Sequence, residues 1–215
     1  MAFYFISLPI GNLGDISLRA LEILRKADFI LAEKPRKTLR LLNFYKIKKP
    51  IYPYFSGKNE RYLEKAIKAA GDGKIIVFLP EAGSCNVADP GAKIVQRLIE
   101  ERIDYSVVPG ASALTAAISC LPWSAKNFVF LGFLPKKGLR KVLKNIPPKF
   151  LIIYFSSPYR IKKNLEKTKE ILGDREVFVG RELTKKFEEK YLGRISEVLR
   201  NIKEKGEFVV AVSQS

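Results

Sequence analysis

Short runs of continuous hydrophobicity alternate along this chain with stretches whose apolar residues recur at helical spacing. Residues 3–8 (FYFISL) and 28–32 read as buried strands. Between them, 17–26 (SLRALEILRK) sets Leu18, Leu21 and Leu24 on one helical face. Residues 36–45 and 60–70 also carry helical spacing. KIIVFL (74–79) follows the turn signal Gly71-Asp72-Gly73 and predicts a strongly buried strand. Residues 91–102 predict a helix, and YSVVP leads into Pro109-Gly110.

A second round follows. Residues 112–120 form a small-residue helix, FVFLGF (128–133) is strand-like, and FLIIYF (150–155) is the clearest strand of the chain. Ser157-Pro158 offers an N-cap and an N1 proline for a helix running to about Leu172 and closed by Gly173. EVFVG (176–180) predicts another strand, 195–204 a helix, and EFVVAV (207–212) a last strand. This βαβ rhythm predicts an α/β protein with mostly parallel sheets. A boundary near Pro109–Ala111 divides it into an N-terminal α/β domain, 1–110, and a C-terminal α/β domain, 111–215.

Composition narrows the chemistry. Hydrophobic residues make up 47% of 215, which excludes a disordered chain. Lys plus Arg is 39 against 22 Asp plus Glu, a net charge of +17, so the partner is expected to be anionic: nucleic acid, acidic membrane or polyanionic metabolite. The competing explanation is a Lys-rich solvated surface. The cations cluster: residues 34–49 hold seven Lys or Arg and no acid, and 135–169 hold eleven against the single Glu166. Such clusters suit phosphate contacts. Tyr45, Tyr52, Tyr54, Phe55 and Tyr159 lie near them and can stack bases, though core packing is the simpler role for each.

The chain has no histidine and two cysteines, Cys85 and Cys120. That excludes a histidine base and the usual zinc site of about four Cys or His ligands, so no metal is expected. The cysteine count suits a reducing cytoplasm. Cys120 is expected in the core and Cys85 in an exposed loop. No apolar run approaches the ~20 residues that span a bilayer. The N-terminal apolar stretch, broken at Pro9, reads as a strand rather than a signal peptide.

Candidate chemistry sits in loops after strands. LPIGNLGD (8–15) has Gly11 and Gly14, which allow backbone to approach a ligand, although an ordinary βα turn explains it equally. It matches neither a dinucleotide fingerprint nor a phosphate-binding P-loop. PEAGSCNVADPG (80–91) is a long loop of the functional kind, in which Asp89 before Pro90 also reads as a helix cap. PGASALTAA (109–117) leaves backbone N–H groups open at a helix start. SSPYR (156–160) and GRELTKKFEE (180–189) follow later strands.

In order, LPIGNLGDIS-LRALE, EKPR, EAG-x5-DPG, PGASAL, GFLP, SSPYR, RELTK and GEFVV resemble the class III, tetrapyrrole-methylase-like methyltransferases dependent on S-adenosylmethionine. Within that group the resemblance is to enzymes that methylate a cytidine ribose 2′-hydroxyl of small-subunit ribosomal RNA, and it covers residues 3–212. The chain departs from the usual S-D-A-G-T-P-G-I-S-D-P-G loop at Glu81 and at Ser84-Cys85-Asn86, and from E-D-T-R at Lys34-Pro35.

The resemblance implies two α/β domains with the cofactor between them, and a homodimer. It implies a cofactor site at Pro9, Glu81, Ala82, Gly83, Ser112, Ala113, Leu183 and Val209. RNA would meet Arg36, Lys37, Arg160 and Arg181. Proton removal from a ribose hydroxyl would fall to Asp89, Glu182 or a Lys185 of lowered pKa, since a general base adds roughly 10²–10⁴-fold. Two other readings stay open: the same chemistry on a tetrapyrrole or other small anion, and a non-catalytic RNA- or ribosome-binding module.

Overall fold

Residues 2–55, 59–87 and 91–213 are described by a computed structural model of the chain. It divides into two units, 1–112 and 113–215.

The first unit follows directly from its alternating side chains. Its elements are β1 (Phe3–Ile6), α1 (Leu18–Lys26), β2 (Phe29–Ala32), α2 (Pro35–Phe44), β3 (Ile51–Pro53), α3 (Glu60–Gly71), β4 (Ile76–Leu79), α4 (Gly91–Glu100) and β5 (Tyr105–Val108). The strands form one sheet in the order β3-β2-β4-β1-β5, parallel at every pairing. Ile6, Ile30, Ala32, Val77 and Leu79 point to one face, where α1 and α2 cover them with Ala20, Leu21, Leu24, Leu41 and Leu42. Their neighbours Phe3, Phe5, Phe29, Leu31, Ile76 and Phe78 point to the other, under Leu63, Ile67, Ile94 and Leu98 of α3 and α4. Burial on both faces explains why these strands lack polar alternation. A fully buried leucine such as Leu24 contributes about 1.5–3 kcal/mol.

The second unit holds α5 (Ala113–Ile118), β6 (Phe128–Phe133), α6 (Leu139–Lys144), β7 (Leu151–Ser156), α7 (Ile161–Leu172), β8 (Glu176–Arg181), β9 (Glu189–Arg194), α8 (Ile195–Asn201) and β10 (Phe208–Val212). Its sheet runs β6-β7-β10-β8-β9. One face, built on Ile152, Tyr154, Val177, Val179, Phe208, Val210 and Val212, is covered by Leu139 and Leu143 of α6, Ile161 and Leu165 of α7, and Ile195 and Val198 of α8. A buried polar chain fastens α7 to β7. Asn164 Nδ2 donates to Ser156 Oγ at 2.9 Å, and Thr168 Oγ1 lies 3.3 Å from the Tyr154 hydroxyl.

Three details depart from expectation. Parallel pairing holds throughout the first sheet, but in the second only β6 and β7 are parallel, while β7–β10, β10–β8 and β8–β9 are antiparallel. A strand buried on both faces carries no mark of its direction. The helix expected from Pro158 opens at Ile161, with Arg160 as N-cap, because Ser157–Arg160 close a turn through Arg160 N–H to Ser157 C=O at 3.0 Å. β3, α6 and β9 were not expected at all.

Candidate active site

The strand order places a ligand position. The chain moves across the first sheet in one direction through α1 and α2, then reverses through α3 and α4. Right-handed crossovers therefore put those pairs of helices on opposite faces. β4 and β1 are neighbours, yet the loops beyond them leave toward opposite faces. In open α/β sheets this switch point is where ligands bind.

Backbone hydrogen bonds lock these loops together. Leu8 N–H donates to Gly83 C=O, and Gly83 N–H donates back to Leu8 C=O, both at 2.9 Å. Ser7 N–H reaches Val108 C=O at 3.0 Å. Gly83 has φ +71°, and a Cβ there would sit 3.4 Å from Ile10 Cγ2 and 3.9 Å from the Ala111 carbonyl oxygen. Gly110 is equally constrained, since a Cβ would come 3.1 Å from Ser7 Cβ. The structure thus gathers Pro9, Glu81, Ala82, Gly83 and Ser112 at one end of one sheet. Pro9 and Ser112 are half-buried and Ala82 is exposed, so the backbone at this end remains accessible.

Helix α2 braces the same loops. Glu33 Oε2 accepts the Glu81 backbone N–H at 2.8 Å. The Glu81 carboxylate receives Lys37 Nζ at 2.5 Å and faces Lys34 Nζ at 3.8 Å. At the other end of the helix, the Tyr45 hydroxyl donates to Leu13 C=O at 2.5 Å. Lys37, expected to contact RNA, is therefore engaged with the loop carboxylate. Cys85, expected exposed, is half-buried with Sγ 3.5 Å from Ile6 C=O, and Cys120, expected in the core, is likewise half-buried.

In the second unit Val209 pairs with Gly180, and the Leu183 side chain lies over Gly180, within 3.0 Å of where a Cβ would stand. Leu183 and Val209 are thus brought together, both buried. Ala113 opens α5, which packs on β10. The loop carrying Leu183 is strained: Glu182 and Thr184 take φ +52° and +65° without being glycine. Such strain persists only where surroundings enforce it. Here Glu182 N–H donates to Glu207 C=O at 2.9 Å, and Glu182 Oε1 accepts from Glu207 N–H at 2.8 Å. Lys185 Nζ bridges Glu182 at 2.9 Å and Glu207 at 2.7 Å, and Glu188 Oε2 accepts Thr184 N–H at 2.6 Å.

This electrostatic arrangement corrects the lysine base. Burial pulls the Lys185 pKa down, but the hydrogen bonds to Glu207 and Glu182 prevail and hold it above its ordinary value. Burial pushes Glu182 up, and its bonds from Lys185 and the Glu207 N–H hold it below the usual carboxylate range. The pair is an ion-paired brace. Asp89 lies outside the described residues.

Arg181 is a second correction. It is 6% exposed, so it is not placed for a phosphate contact. Its Nε donates to Lys205 C=O at 2.5 Å, and one terminal nitrogen lies 3.1 Å from Glu189 Oε2. Arg36 is exposed and Arg160 half-buried. Tyr54 is buried, whereas Tyr159 is 93% exposed. Tyr52 stacks on Tyr62 at 5.1 Å. Thr184, part of the expected cluster in RELTK, has a buried Oγ1 with no hydrogen-bond partner among the described residues.

In the first unit, small residues at Ala82, Gly83, Gly110 and Ala111 leave room for a ligand to approach backbone. In the second unit, Leu183 and Val209 are apolar neighbours.

The family model for Tetrapyrrole (Corrin/Porphyrin) Methylases matches residues 2–199. A Thermotoga maritima protein named ribosomal RNA small subunit methyltransferase I is 38% identical, with 97% of this chain and 96% of that protein covered. The Bacillus subtilis protein of the same name is also 38% identical, covering 99% and 75%. Among solved structures, diphthine synthase superposes with a TM-score of 0.78 at 16% identity, covering 99% of this chain and 90% of that one. Uroporphyrin-III-C-methyltransferase from Thermus thermophilus gives 0.71 at 19%, covering 99% and 92%. The chain belongs to the tetrapyrrole (corrin/porphyrin) methylase family, whose members are methyltransferases that use S-adenosylmethionine.

Proposed function

We propose that this protein transfers a methyl group from S-adenosylmethionine to a cytidine ribose 2′-hydroxyl of small-subunit ribosomal RNA, in the cytoplasm and as a homodimer. The observation that carries the reading is the switch point, where the loops after β1 and β4 are bridged through Leu8 and Gly83. The relatives' names supply the RNA, and the net charge of +17 suits it.

S-adenosylmethionine, when bound, supplies an activated methyl on a sulfonium, so the chain's own task is mainly placement. Alignment of reactants is worth up to ~7–11 kcal/mol. Pro9, Glu81, Ala82, Gly83, Ser112, Ala113, Leu183 and Val209 would hold the cofactor. Arg36 and Arg160 would orient RNA phosphates. Glu182 and Lys185 act as positioning residues that fix the strained backbone around Leu183.

Calorimetric titration with S-adenosylmethionine tests the reading. One-site binding to the wild type, lost in Ser112→Trp, is the expected result. No binding at millimolar cofactor would remove the catalytic reading and leave a non-catalytic RNA-binding module.

A further inference from the structure

Helix α2 has three separate surfaces. Its inner positions Thr38, Leu41 and Leu42 are buried against the sheet. Its two ends hold the loops proposed for the cofactor, Lys37 and Lys34 through Glu81 and Tyr45 through the Leu13 carbonyl. Its outer positions Arg36, Leu39, Arg40, Asn43 and Phe44 are exposed and, at helical spacing, lie side by side. Arg36 and Arg40 have no carboxylate at ion-pair distance among the described residues, in contrast to Lys34 and Lys37 on the same turn. Leu39 is 50% and Phe44 63% exposed, beside those cations.

We infer that the outer face of α2 docks the phosphate backbone of an RNA and that the helix couples this docking to cofactor binding. The inference rests on the methyltransferase reading above. Unpaired guanidinium groups in a segment with no acid from 34 to 49 complement a polyanion, and Phe44 offers a face on which an unpaired base can stack. Lys37 and Tyr45 tie the helix to both loops, through Glu81 and the Leu13 carbonyl. A ligand held on the outer face of α2 is thereby linked to both loops, and linkage makes the coupling reciprocal. Lys37 is a positioning residue in this scheme, because it acts on the cofactor through Glu81.

The test pairs two measurements on the full chain with a fluorescein-labelled RNA hairpin as the probe. Anisotropy over a salt series reads the docking surface, and calorimetry with S-adenosylmethionine, with and without saturating hairpin, reads the coupling. The wild type should bind cofactor at least about fivefold tighter with hairpin present, at the lower end of usual coupling. Arg36→Glu with Arg40→Glu should flatten the log–log salt slope by about 1.4–1.8, at 0.7–0.9 for each lost phosphate contact. In that variant the cofactor affinity should be the same with and without hairpin. Tyr45→Phe combined with Lys37→Met should still bind hairpin yet lose the coupling, and Lys37→Arg alone should retain it. An unchanged salt slope in the Arg36, Arg40 variant overturns the surface, as does binding to phosphatidylserine vesicles without binding to hairpin. Equal wild-type cofactor affinities with and without hairpin overturn the coupling alone. Absence of wild-type cofactor binding overturns the methyltransferase reading and this inference with it.

Discussion

Leu8 and Gly83 exchange a pair of backbone hydrogen bonds, each 2.9 Å long, across loops that follow neighbouring parallel strands. The exchange bridges the two loops through backbone alone. Gly83 makes it possible, because its φ of +71° is costly for any residue with a Cβ. Gly83→Ala is expected to lower stability by about 1 kcal/mol, the usual penalty of the left-handed region. It should also weaken S-adenosylmethionine binding, since the new methyl stands against Ile10. Urea denaturation and calorimetry read the two effects, and a variant with unchanged cofactor affinity would place the ligand elsewhere.

Thr184 separates a structural loop from a binding one. Its hydroxyl is buried without a partner among the described residues, and an unsatisfied buried hydroxyl costs about 1–3 kcal/mol. Thr184→Val keeps the shape and the β-branch, so the free protein should be at least as stable as the wild type. If the hydroxyl serves the cofactor, affinity should fall about three- to tenfold, the worth of one neutral hydrogen bond. Loss of stability with unchanged affinity would show that Thr184 only supports the loop.

Arg181 is the internal control for RNA. Arg181→Met leaves Glu189 without its guanidinium partner and frees the carbonyls of Phe187 and Lys205. The melting temperature should fall, because the Phe187 and Lys205 carbonyls lose their guanidinium donor, while Glu189 keeps Lys203 and Tyr191. Affinity for an RNA hairpin should be unchanged. A large loss of RNA affinity in a variant that remains folded would return Arg181 to the RNA surface.

Much of this was legible in the sequence. Strands buried on both faces announce themselves as continuous runs, so β1, β4, β7 and β10 were expected close to where they lie. β3 was not, because three residues ending in Pro53 give too little pattern. β9 (EKYLGR) alternates exposed and half-buried positions and carries charges that read as loop. α6 is six residues long and half of them are basic, which reads as solvated surface. The burial of Arg181 was available but unread: it shares a face with Val177 and Val179 at strand period, two positions buried in the core. The Lys185–Glu182–Glu207 brace was not available, because Glu207 lies on another strand's approach and only the fold brings it there.

Carboxylates of the second unit set its acid limit. Asp174 is held below its ordinary value by hydrogen bonds from the Ser196 hydroxyl and N–H. Glu188 is lowered by Lys190 and the Thr184 N–H, and Glu182 by the brace already described. Glu189 falls to about 2 through Lys203 first and then Tyr191. Each depressed carboxylate stabilises the fold fully above its unfolded value, and that contribution is lost as pH falls through the folded value. Denaturant midpoints should therefore stay level from neutral pH down to the ordinary carboxylate range near 4.5, then drop toward pH 2. A decline beginning above pH 6 would contradict this assignment.

RNA methylation is read out by supplying tritiated-methyl S-adenosylmethionine and small ribosomal subunits to the purified protein and locating the label. Label is expected in the ribosomal RNA, recovered after alkaline hydrolysis in an alkali-resistant dinucleotide that contains cytidine. Unlabelled RNA, with cofactor binding intact, would contradict it and direct the search to a small anionic acceptor.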